Sequence, residues 1–110
     1  MIEFATAMIE ALPDGAIIVN SSGDVSAANA AAVDIFQSRL VGLPVISVIR
    51  SPAFNASLSN VVSTKTPTTV DVEFHGRPPR QVNAHIALFG QNGDILIVMR
   101  DLTREQAIEK

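Results

Sequence analysis

Two histidines, one close pair of carboxylates and a scatter of serines are the side chains of this 110-residue chain whose types could do chemistry. Asp71 and Glu73 are separated by one residue, which puts both on one face of a strand. A working acid and base need a pocket and shifted pKa values. An open strand face supplies neither, so the pair reads as a solvated surface. His75 and His85 fall on the polar phase of their strands and read as surface histidines. Ser57 and Ser59 have no evident base nearby, which leaves nucleophilic catalysis without a foothold. No glycine-rich phosphate loop is present. Cysteine is absent, which excludes disulfides, thiolate metal sites, a cysteine nucleophile and any cofactor attached through sulfur. That absence fits a reducing compartment.

The elements that must position these residues follow from periodicity. Ile2, Ala5, Met8, Ile9 and Leu12 recur at helical spacing, so residues 1–12 read as a helix with one apolar stripe, stopped by Pro13-Asp14-Gly15. Ala16 to Val19 and Val25 to Ala28 are short strands joined through Ser21-Ser22-Gly23-Asp24 as a hairpin. Asn29 suits the N-cap of a helix from about Ala30 to Gln37, with Val33 and Phe36 as its core face. Val45 to Arg50 allows a helical turn. Ser51 and Pro52 open a further helix to about Ser63, with Phe54, Leu58, Val61 and Val62 inward.

From Thr68 the period changes to two. Val70, Val72 and Phe74 alternate with Asp71, Glu73 and His75, then Val82, Ala84, Ile86 and Leu88 with Gln81, Asn83 and His85. Gln91-Asn92-Gly93-Asp94 is a hairpin turn, and Ile95 to Met99 is a strand apolar on both faces. Thr103 and Gln106 have capping-box spacing for a final helix. No helices separate the last three strands, so the sheet is expected to be antiparallel and the fold α+β: five strands, short helices on one face, and amphipathic helices at both ends.

Composition bounds the function. Hydrophobic residues make up 47%, which argues against disorder, and a chain this long buries roughly 65% of its unfolded surface in one domain. The formal net charge is −3 and the pI about 5.2; with no basic cluster, a nucleic-acid surface is not expected. No apolar run reaches the ~18–20 residues of a membrane helix, and the start lacks the pattern of a signal peptide.

Pro13-Asp14-Gly15-Ala16-Ile17-Ile18-Val19, Gly23-Asp24-Val25 and Asn29-Ala30-Ala31-Ala32, followed later by Asn92-Gly93-Asp94, a long apolar strand and Arg100-Asp101-Leu102-Thr103, resemble the PAS family in order and spacing over residues 13–103. The last segment is similar to the family's Asp-x-Thr exit motif. Val48-Ile49-Arg50-Ser51-Pro52-Ala53-Phe54 and Arg100 to Glu105 are similar to the corresponding steps in phosphate-regulon sensor histidine kinases. The resemblance implies a flanking helix at 1–12, a PAS domain at 13–103 and the start of a linker helix at 104–110. It implies no catalysis in this chain: His75 precedes Gly76 and His85 precedes Ile86, unlike the family's phosphoacceptor histidine.

It further implies that haem is not held, since the helix from Pro52 to Ser63 has no histidine, and that covalent flavin is not held, since cysteine is absent. No cofactor is expected. The space where PAS domains hold ligands would be lined by Phe36, Ile46, Phe54, Leu58, Val72, Ile86 and Ile97. All are apolar, so it is either a filled core or the seat of an apolar or weakly polar ligand.

A bare amphipathic helix of ~12 residues is marginal in water. The stripe of Ile2, Ala5, Met8, Ile9 and Leu12 must therefore dock, on its own sheet or on a second copy, and family precedent favours a homodimer. Asp101, Thr103 and Arg104 stand where a relay to downstream kinase domains of the same chain would leave. The expected function is signal input and dimer alignment in a cytoplasmic part of a sensor histidine kinase, the parent being anchored in the inner membrane through flanking segments. The alternatives are a ligand- or cofactor-binding sensor domain of a cyclase or transcription factor and, with the least support, a small enzyme.

Overall fold

The computed structural model describes residues 7–36, 39–74, 80–90 and 93–102. Residues 7–10 are helical (α1). Then follow β1 (Gly15–Val19), β2 (Val25–Ala28), α2 (Ala30–Phe36), α3 (Val45–Val48), α4 (Pro52–Thr64), β3 (Thr68–Phe74), β4 (Arg80–Phe89) and β5 (Asp94–Asp101). The five strands form one sheet in the order β2-β1-β5-β4-β3, with every neighbouring pair antiparallel. The α+β expectation holds.

β5 is the central strand, and β1 lies beside it, with Gly15 opposite Met99 and Val19 opposite Ile95. That placement explains why both segments are apolar on both faces: each has a layer of side chains above it and another below. The β1–β2 turn is closed by the Asn20 side chain, whose Oδ1 accepts from Ser22 N at 3.0 Å and Asp24 N at 3.1 Å. Gly23 follows with φ 92°, a left-handed conformation that favours glycine.

Helices α2, α3 and α4 supply the partners of the inner face. Ile17, Val19, Ile95, Ile97, Met99 and Ile86 from the sheet form one buried cluster with Ala32, Val45, Phe54 and Val61 from the helices. α4 begins as expected, with Pro52 in its first turn and the Ser51 hydroxyl accepting from Phe54 N at 3.2 Å. It ends on Lys65 in the left-handed region, φ 60°. α2 lies against β1 because residue 15 has no side chain: a Cβ there would lie 2.7 Å from Ile35 Cδ1 and 3.2 Å from Ala32 Cα.

Three inward assignments are corrected. Val33 is exposed because the small Ala32 takes the inward position of α2, with Ile35 and Phe36 half-buried beside it. Val62 is exposed because the inward positions of α4, at spacings of four and three, are Phe54, Leu58 and Val61. Ile46, expected to line the ligand space, is 60% exposed, since Val45 and Ile49 fill the inward side of that single turn.

The outer face is divided. Over β2, β1 and β5, Ile9 of α1 is buried with Ala16, Ile18 and Ala27, and Leu96 and Phe89 pack against the group. Over β3 and the first half of β4 the outward residues are polar: Thr69 pairs with His85, Asp71 with Asn83 and Glu73 with Gln81. Thr69 Oγ1 and His85 Nδ1 are hydrogen-bonded at 3.1 Å, and Asn83 Nδ2 donates to Asp71 Oδ1 at 2.8 Å.

Candidate functional site

Because β1 and β5 are antiparallel and Gly15 faces Met99, the start of the first strand and the end of the last lie at the same end of the sheet's central pair. The chain enters through α1 and the Pro13-Asp14 turn at the end where β5 finishes. Asp101, half-buried and opposite Val82, is the last residue of β5. Thr103 and Arg104 lie outside the described residues, as do Ile2 and Ala5 of the N-terminal stripe.

One side chain ties this end together. Asn29, only 1% exposed, precedes α2. Its Oδ1 accepts from Ala32 N at 2.9 Å, the N-cap bond expected from its position, and from Ala16 N at 2.9 Å. Its Nδ2 donates to Ile9 O at 2.8 Å and to Asp14 O at 2.9 Å. A primary amide has two donors and one doubly accepting oxygen, so all four capacities are used. The Asn29 backbone N–H also donates to Ala16 O at 3.0 Å. Beside it, Glu10 Oε1 accepts from Ala30 N at 3.0 Å. α1 is therefore joined to the first turn of α2 by two side chains, one from each partner.

Sequence reasoning found one of the four Asn29 side-chain bonds. The N-cap bond is local and leaves a signature, whereas the bonds to Ile9, Asp14 and Ala16 join residues 13 to 20 apart. Nothing in composition or spacing marks such partners. Glu10 was missed for the same reason.

Of the N-terminal stripe, Ile9 is buried against this chain's own sheet, while Met8 and Leu12 remain 38% and 37% exposed. Of the residues expected around the ligand space, Phe54, Val72, Ile86 and Ile97 are buried in the inner cluster, and Phe36 and Leu58 pack against it. Ile46 does not join them. The one buried side-chain oxygen or nitrogen without a hydrogen-bond partner among the described residues is Asn55 Oδ1 on α4.

The residues considered for chemistry stay apart from this region. His85, Asp71 and Glu73 are exposed on the polar half of the outer face, and His75 lies outside the described residues. Among the described residues no three or more of His, Cys, Asp and Glu gather as they would around a metal ion. No helix among them is long and apolar enough to cross a membrane.

The PAS fold family model matches residues 3–102. The chain belongs to the PAS family and is a sensory domain rather than a catalytic one. No curated protein matches it. Its fold is similar to that of a LOV protein from Rhodobacter sphaeroides, with TM-score 0.80 and 13% identity over 96% of this chain and 68% of that one. It is also similar to the photoactive yellow protein domain of the sensor histidine kinase Ppr from Rhodospirillum centenum, with TM-score 0.73 and 25% identity over 86% and 91% of the two chains. The PAS domain of BvgS from Bordetella pertussis aligns with TM-score 0.72 and 22% identity over 97% and 90%.

Proposed function

We propose that this PAS domain is the signal-relaying and dimer-aligning domain of a two-component sensor histidine kinase, of the phosphate-regulon type. The observation that supports this best is the pairing of Gly15 with Met99, which brings the entry and exit of the domain to one end of the central strands. A shift of α1 at that end is felt where β5 hands over to the segment that follows. Met8 of α1 and Leu12 just after it, beside the buried Ile9, offer apolar surface to a second copy. The similar fold of a domain of the sensor histidine kinase Ppr gives the kinase setting a precedent. On this reading the signal leaves through Asp101, Thr103 and Arg104 toward a phosphoacceptor helix.

The test is Asp101→Ala in the full-length parent, with autophosphorylation measured alongside circular dichroism of the isolated domain. Output is expected to change while the domain stays folded. Unchanged output would remove Asp101 from the relay.

A second reading, a ligand-binding sensor domain of another regulator, is favoured by one observation. The buried and unpartnered Asn55 Oδ1 is the kind of acceptor that a small, mainly apolar molecule with one donor would satisfy. An absorbance spectrum of the purified protein separates a pigmented cofactor from a filled core.

A further inference from the structure

The bonds of Asn29 divide by atom. Oδ1 serves the domain itself, holding the β1 backbone at Ala16 and the start of α2 at Ala32. Nδ2 serves the entry, holding the end of α1 at Ile9 and the turn at Asp14. We propose that Asn29 is a latch for α1: its amide nitrogen, helped by the Glu10 carboxylate on Ala30 N, sets how often α1 leaves the sheet, and its amide oxygen keeps the domain folded whether α1 is docked or not.

The physical case rests on what release would cost. Lifting α1 bares Ile18, Ala16 and Ala27, which Ile9 covers. It also takes the Ile9 carbonyl from a buried amide N–H that has no other partner for that hydrogen. The remaining bonds of Asn29, to Asp14, Ala16 and Ala32, can persist, since none of them involves α1. Release is thus a local event with a defined cost, separable from unfolding. Asn29 is a positioning residue in this sense. The latch goes beyond the relay reading and does not depend on which partner receives the signal.

Asn29→Asp separates the two halves. It keeps the oxygen that accepts from Ala16 N and Ala32 N but replaces the donor with an oxygen facing two carbonyls. Amide hydrogen exchange reads the result, because Ala11 N and Leu12 N close the end of α1 by donating to Met8 O and Ile9 O. The expected outcome in Asn29→Asp is exchange at Ala11 and Leu12 faster by about tenfold or more, with Ala16, Ala32 and the β1–β5 amides within about twofold of the parent. In Asn29→Ala, Ala16 and Ala32 lose protection as well. Exchange that is unchanged at Ala11 and Leu12, or that rises by one common factor throughout, would overturn the latch. Should Asn29→Asp fail to fold, Glu10→Ala carries the test, since Glu10 is exposed. A rise of about threefold confined to Ala11 and Leu12 supports the latch, and no rise there overturns it.

Discussion

The two faces of the sheet are covered in different ways. The inner face is sealed by three helices from the middle of the same chain, and side chains from both sides interdigitate in one cluster of sixteen buried residues. Among the described residues the outer face has a smaller cluster of four, of which one, Ile9, comes from outside the strands. The part of that face over β3 and the first half of β4 is polar, and Asp71, Glu73 and His85 on it are exposed. The difference teaches that stability and adjustability are separated across the sheet. Altering the inner cluster costs stability directly, whereas among the described residues the outer face is covered from α1 by Ile9 and held by the Asn29 and Glu10 side chains.

The comparison can be broken or sharpened by truncating residues on each side. Phe54→Ala removes the largest fully buried side chain of the inner cluster. It is expected to lower the free energy of unfolding in urea by about 3–5 kcal/mol, the range for deleting a packed aromatic. Ile18→Ala acts on the outer cluster beneath α1, where the neighbours can close in more easily. Its expected loss is about 2–3 kcal/mol, at the low end for a buried aliphatic. A loss equal to that of Phe54→Ala would mean that α1 seals the outer face as firmly as α4 seals the inner one. Asp71→Ala touches only the polar half, where the carboxylate accepts one exposed bond from Asn83. Unfolding is expected to shift by no more than about 0.5 kcal/mol. A larger change would show that this half is not bare surface.

Most of the fold was legible in the sequence because it is written in short-range pattern. The period-two alternation of Val70 to Phe74 and Val82 to Leu88 marked half-buried strands, and the doubly apolar Ile95 to Met99 marked a strand with neighbours on both faces. Ser51-Pro52 marked a helix start through the chemistry of its first turn. The errors arose where two neighbouring apolar residues compete for one inward position. Val61 and Val62 have the same type, as do Val45 and Ile46, so only the phase of the completed helix decides between them. At Val33, the decision came from Gly15, eighteen positions earlier, whose missing side chain draws α2 close enough that alanine fits and valine does not.

The site was legible only in part. Asp101 was placed at the end of the last strand by its resemblance to an exit motif, and Ile9 on an apolar face by its spacing. The Asn29 network was not, because its partners are backbone atoms, which every sequence has at every position. Only the fold brings Ile9 O, Asp14 O and Ala16 N to within one side chain of each other.

The pairing of β1 with β5 has a consequence for how the molecule is made. Gly15 to Val19 are synthesised some eighty residues before their partners at Ile95 to Met99. At about 5–20 residues per second, β1 waits several seconds with β2 as its one strand partner. A lone hairpin is marginal in water. Ile17 and Ile18 therefore lack their β5 neighbours for that interval, and the middle of the sheet closes last.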